Sequence, residues 1–144
     1  MPASKAFLDA LHVPCLDLTG KTSVIDAVSL VRFSRITVSN DSAFTHFAVA
    51  LARPSLTIMY PTRPGWAGPY GYGDINRRVI REDVPCFGDN GQCGNTGGLR
   101  ALAPCVAAVT VEDAQKELSP LLACITSGDP SPKAPFSLAT NLIE

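Results

Sequence analysis

The strongest constraint on this fold is the order in which two hydrophobic periods alternate between residues 13 and 60. Val13 to Leu18 (VPCLDL) is short and apolar, closes on Thr19-Gly20, and predicts a strand. A helix is expected next: Thr22 or Ser23 can cap it, Asp26 falls in its first turn, and Val24, Ala27, Val28 and Val31 recur at helical spacing. Ser34 to Asn40 (SRITVSN) alternates Ile36 and Val38 with polar neighbours, which predicts a second strand. Ala43 to Ala52 reads as a helix with Phe44, Phe47, Ala48 and Leu51 on one face. Leu56 to Tyr60 is a third strand, with Pro54 stopping the helix before it. Strand, helix, strand, helix, strand with short connections defines βαβ units and a parallel sheet.

Parallel sheets of this kind take ligands beyond the carboxyl ends of their strands. Attention therefore falls on the turn Asn40-Asp41-Ser42-Ala43, where a strand ends and a helix begins. Asp41 or Ser42 is placed to cap that helix. Its free N–H groups, reinforced by the helix dipole, favour a phosphate. Ser42 and His46 stand four residues apart and can face one ligand. A purely structural reading stays open at this point, because Asp and Ser caps open many helices. Asp41, Ser42 and His46 do not form a hydrolase triad: adjacent side chains diverge, and no G-x-S-x-G turn is present.

Composition narrows the function classes. Twelve Lys and Arg against 13 Asp and Glu leave a net charge of −1, which argues against binding nucleic acid by bulk attraction. Hydrophobic residues make up 46% of the 144, enough for a buried core. No run approaches the roughly 20 apolar residues of a membrane-spanning helix, and Asp9 and His12 interrupt what would be a secretory signal. The five cysteines are odd in number and widely spaced, so reduced thiols in a cytoplasmic protein are expected. Cys86, Cys93 and Cys105 lack the close pair usual in a zinc site, so no metal is expected.

Three pieces in order resemble the C-terminal domain of the family 9 glycosyltransferases, the ADP-heptose:lipopolysaccharide heptosyltransferases among them. They are Leu18-Thr19-Gly20-Lys21-Thr22-Ser23, then Asn40-Asp41-Ser42 with His46, then Pro61-Thr62 with Gly68-Pro69-Tyr70-Gly71. The resemblance covers roughly residues 14 to 87. It implies an α/β fold whose Rossmann-like parallel sheet is part of the C-terminal, donor-binding domain of a GT-B glycosyltransferase. The implied reaction is transfer of heptose or a related sugar from a nucleotide diphosphate donor, such as ADP-heptose, to a lipopolysaccharide-type or other glycan acceptor. By the same resemblance Asp41 meets the sugar, and Ser42 with the N–H groups of residues 42 to 44 meets the phosphates. His46 assists and Thr62 stands at the rim. No cofactor and no Asp-x-Asp metal motif is implied.

The sequence departs from the family's pattern at Ala43 and Phe44, where the family usually carries Gly and then Pro or Leu, and at Tyr60, where Gly is usual. Alanine adds a methyl where the backbone must approach a phosphate. The chain also begins near the family domain's third βα unit, so the catalytic base is expected in a missing N-terminal domain and the chain alone is expected to be catalytically incomplete. Two other readings stand beside this one: a non-catalytic nucleotide- or phosphate-binding remnant, and a partner subunit completing another chain's sheet. An unpaired strand edge at Val13–Leu18 or its neighbour predicts self-association. The expected location is the cytoplasm or the inner face of its membrane, with peripheral contact at most.

The donor-binding part is expected over residues 1–127, with a Gly/Pro-rich loop region at 61–105 and a loose tail at 128–144. Trp66, Tyr70 and Tyr72 lie in that loop region, where they can stack on a base or sugar or cover the sheet end. Arg77 to Glu82 (RRVIRE) predicts one more short strand. Thr110 caps a last helix with Glu112 and Asp113 in its first turn, an apolar face of Val111, Ala114, Leu118, Leu121, Leu122 and Ile125, and a kink expected at Pro120.

Overall fold

The structure, a computed structural model, describes residues 2–59, 75–84 and 107–127. Within them lie α1 (Pro2–Ala10), α2 (Val24–Phe33), β1 (Thr37–Asn40), α3 (Ala43–Ala50), β2 (Ser55–Ile58), β3 (Asn76–Val79) and α4 (Val111–Thr126). The strands form one parallel sheet in the order β1-β2-β3, with Val38 beside Leu56 and Leu56 beside Arg77. The fold is α/β and Rossmann-like, as the alternation predicts.

Side chains on a strand alternate between faces, and here each face meets a different helix. Leu56 and Val79 turn to α4 and bury against Leu121, with Ile36, Val109, Ala114 and Leu118 packed around them. Thr57, one residue on, turns to α3, whose Thr45, Ala48 and Val49 are buried. α2 packs on α3 and buries Ala27 and Val31. α4 lies across β2 and β3, held to β3 by Arg77 to Glu117 at 3.1 Å and to the segment after it by Arg81 to Asp113 at 3.3 Å.

Local chemistry explains where the helices start. Ser23 Oγ accepts from the Asp26 N–H at 3.2 Å, and the Asp26 carboxylate accepts from the Ser23 N–H at 2.9 Å, a reciprocal capping box. Thr110 and Asp113 repeat that arrangement at α4, with bonds of 3.1 and 3.0 Å. At the lower end of the sheet Asn76 Nδ2 donates to the Arg53 carbonyl at 2.8 Å and to Ser55 Oγ at 2.9 Å. Arg53 in turn donates to the Ser34 carbonyl at 2.5 Å, fastening the strand starts to the end of α2.

The structure corrects several expectations. Val13–Leu18 is not a strand. Pro14 has no N–H for a ladder, Leu16 is 79% exposed, and no strand among the described residues pairs with the segment. A helix, α1, precedes it instead. On α3 the buried face is turned away from Phe44, which is 41% exposed, toward Thr45, Ala48 and Val49. Val24 on α2 and Val111 and Leu122 on α4 are also exposed, so those apolar faces are narrower than their sequence pattern. Thr62, Trp66, Tyr70, Tyr72, Cys86, Cys93, Cys105 and the tail from Gly128 lie outside the described residues.

Candidate functional site at the β1–α3 turn

β1 ends at Asn40 and α3 begins at Ala43, on the edge of the sheet where the parallel strands finish. Asp41 is anchored there by its N–H, which donates to the Ile58 carbonyl at the end of β2, 3.0 Å away. Ser42 occupies the N-cap position with extended backbone (φ −157°, ψ 177°). Its hydroxyl makes no capping bond, unlike Ser23 and Thr110. The Ala43 and Phe44 N–H groups therefore find no acceptor among the described residues, and the helix dipole adds to their positive potential. Of the two cap candidates, Ser42 holds the position and Asp41 does not. His46, one turn on, is exposed.

Beneath the turn lies a cluster of hydroxyls that sequence reasoning missed. Thr45 Oγ1 stands 3.0 Å from Ser39 Oγ on β1, 3.0 Å from Thr57 Oγ1 on β2, and 3.3 Å from the Asn40 carbonyl. A hydroxyl donates once and accepts twice. All three contacts are satisfied if Thr45 donates to the Asn40 carbonyl and accepts from Ser39 and Thr57. Thr45 and Thr57 are both fully buried, so the cluster locks the first turn of α3 to two strand ends. The signal was present as polar residues, Ser39 and Thr57, near the ends of two neighbouring parallel strands.

The earlier piece Leu18 to Ser23 also acquires a local explanation. The Lys21 N–H donates to the Leu18 carbonyl at 3.0 Å, closing a turn in which Gly20 has φ +70°. A Cβ at Gly20 would meet nothing within 4 Å, so the backbone angle, not space, is what asks for glycine. Asp17 accepts from the Thr19 N–H at 2.9 Å, and bonds from Thr19 hold its carboxyl below the usual carboxylate range. Leu18, Thr19 and Thr22 line a crevice of about 600 Å³ together with Leu16, Leu30 and Phe44. The structure thus brings the first resemblance piece beside the start of α3. Three parallel strands between helices, with open amides at a strand-to-helix turn, define an α/β, Rossmann-like protein.

Comparison with known proteins supplies the family. The family model described as glycosyltransferase family 9 (heptosyltransferase) matches residues 3–96, and the chain belongs to that family. The chain is 35% identical over 65 residues to lipooligosaccharide heptosyltransferase 2 of Haemophilus influenzae, covering 45% of this chain and 19% of that protein. It is 36% identical over 67 residues to lipopolysaccharide heptosyltransferase 2 of Escherichia coli K12, covering 46% and 18%. With lipopolysaccharide heptosyltransferase 1 of Pseudomonas aeruginosa it shares 32% over 78 residues, covering 54% and 19%. The chain therefore spans about a fifth of the length of the curated relatives it matches. No solved structure matches it significantly. No helix among the described residues is long and apolar enough to cross a membrane.

Proposed function

We propose that this chain supplies the donor-binding part of a glycosyltransferase that moves heptose, or a related sugar, from a nucleotide diphosphate donor to a lipopolysaccharide-type or other glycan acceptor. The observation that carries the reading is the open start of α3: Ser42 leaves the Ala43 and Phe44 amides unbonded at the carboxyl edge of a parallel sheet. A diphosphate placed there would accept from those amides and from the Ser42 hydroxyl, with the helix dipole favouring its charge. Asp41 would accept from a sugar hydroxyl, His46 would donate from one turn along the helix, and Thr62 would complete the rim. The parent architecture in this reading is GT-B, in which a second domain brings the acceptor and the base that removes its proton.

In this mechanism the chain's work is positioning. Donor and acceptor held in one cleft react as a single complex, and most of the rate gain comes from that arrangement and from a placed base. Among the described residues the carboxylates near the turn are Asp41, which is assigned to the donor, and Asp17, whose carboxylate is held by the Thr19 N–H. The 144-residue chain should therefore bind ADP without transferring sugar.

Titration with ADP, followed by amide NMR, tests this. The expected result is a shift confined to residues 41–46, with binding weakened by about 1 kcal/mol in His46→Ala, the worth of one hydrogen bond. Shifts centred elsewhere would refute the site. Turnover of ADP-heptose by the chain alone, abolished by Asp41→Ala, would refute the division of labour.

A further inference from the structure

Asp41 and Ser42 turn the corner between β1 and α3, and one residue grips that corner from both sides. The Thr45 N–H donates to the Ser42 carbonyl at 3.1 Å, and the Thr45 hydroxyl reaches the Asn40 carbonyl at 3.3 Å. The other end of the Asn40–Asp41 peptide is held as well, since the Asp41 N–H donates to the Ile58 carbonyl at 3.0 Å. A peptide group is planar. Fastened at its carbonyl to α3 and at its N–H to β2, this one is fixed in orientation.

The direction of the hydroxyl bond is set from below. Ser39 on β1 and Thr57 on β2 each stand 3.0 Å from Thr45 Oγ1, and a hydroxyl has one proton to give. With both neighbours donating to it, Thr45 gives its own proton to the Asn40 carbonyl. Thr45 and Thr57 are fully buried, so an unmade bond at either is costly.

We propose that Thr45 is a positioning residue for a nucleotide diphosphate donor. Its hydroxyl fixes the Asn40–Asp41 peptide, and so holds the Asp41 carboxylate and the Ala43 and Phe44 amides in one geometry. The inference rests on the donor-binding reading of this turn. Thr45 meets no ligand itself, because its hydroxyl is spent on the strand ends beneath the turn. Without that hydroxyl the Asn40 carbonyl is released, the peptide keeps only its bond to β2, and the corner can swing about it. The Thr45 N–H survives substitution, so α3 persists while its start loses a fixed angle to the sheet.

ADP titration of the unaltered chain, Thr45→Ser, Thr45→Val and the double variant Thr45→Val with Thr57→Val tests the proposal. Thr45→Ser keeps the hydroxyl and should bind within about twofold of the unaltered chain. Thr45→Val and the double variant should each bind about tenfold more weakly. The double variant separates positioning from stability: it orphans no buried hydroxyl, so it should regain stability without regaining affinity. Should Thr45→Val fail to fold, the double variant carries the comparison. Affinity restored in the double variant overturns the proposal, as does a serine variant as weak as the valine ones. The residual dipolar couplings of the Asp41, Ala43 and Phe44 N–H bonds in the ligand-free chains give a readout independent of ADP. They should agree between the unaltered chain and Thr45→Ser and change in the double variant. Couplings that stay the same in the double variant overturn the inference. Couplings that change, in a protein whose unaltered chain binds no ADP, refute the donor reading while supporting the hold of Thr45 on the turn.

Discussion

Replacing Thr45 by Val tests whether the buried hydroxyls fix the turn at the candidate site. The two side chains are nearly the same size, so the change removes bonds and leaves almost no cavity. Thr57 is fully buried, and Thr45, 3.0 Å away, is its hydroxyl's one hydrogen-bond partner among the described residues. Orphaning it costs about 1–3 kcal/mol, and losing the bond to half-buried Ser39, which water can replace, costs about 0.5–1.5 more. The single variant should thus lose about 1.5–4.5 kcal/mol in urea unfolding followed by circular dichroism. Thr57→Val leaves Thr45 with Ser39 and the Asn40 carbonyl, and should cost about 0.5–1.5 kcal/mol. The double variant is the decisive one. With both hydroxyls gone nothing buried is orphaned, so it should be no worse than Thr45→Val and recover part of its loss. A double variant that costs the sum of the two singles would refute the network.

Ser23→Ala removes one half of the α2 capping box and should cost about 1 kcal/mol by urea unfolding. Acid should destabilise the fold in a defined window. Asp26 is held below its usual range by the Ser23 bonds, Asp113 by the Thr110 bonds, and Asp83 is pulled down to about 2 by Arg81. Groups with a lowered folded pKa stabilise above their unfolded value, about 3.9, and that contribution is lost as pH falls through the folded one. The urea midpoint should therefore drop between pH about 4 and about 2, and Asp83→Asn should flatten the acid end of that curve. Ala43→Gly should tighten ADP binding by removing the methyl beside the phosphate position, while lowering stability by ~0.5–1 kcal/mol in calorimetry.

Elements fixed by neighbours in sequence were legible, and those fixed by neighbours in space were not. Ser23 with Asp26 and Thr110 with Asp113 cap their helices through contacts three residues apart, so the pattern in the chain is the pattern in the fold. α1 also left a local signal, Pro2 in its first turn and a Lys5–Asp9 pair at 3.1 Å. Val13–Leu18 has the composition of a strand, but a strand exists only with a partner, and none is present among the described residues. Thr45 is the opposite case. Hydrophobic spacing places Phe44 inward, yet Ser39 and Thr57 supply the partners that make a buried threonine cheaper than a buried ring at that position. The β1–α3 turn was legible as a place because strand-to-helix order locates it. The open state of its amides was not, since it depends on the rotamer of Ser42.

The two ends of the sheet carry different burdens, and this bears on how a site with open amides can persist. At the lower end, Asn76, Ser55 and Arg53 tie three segments together through bonds of 2.5 to 2.9 Å. At the upper end the ties run below the surface, through Thr45, Ser39 and Thr57, and leave Ser42 and the first amides of α3 uncommitted. A helix start stabilised by its own cap would hold its shape equally well but would offer an anion fewer free donors. Here the shape is held by hydroxyls one layer down, so an anion can take the donors without competing against a cap. Changes at the lower end should accordingly move stability and leave nucleotide affinity alone: Asn76→Ala should lower the urea midpoint while ADP titrates as in the unaltered chain. Loss of ADP affinity in step with stability in that variant would mean that the two ends are coupled through β2, and that the upper layer of hydroxyls is not sufficient to hold the site.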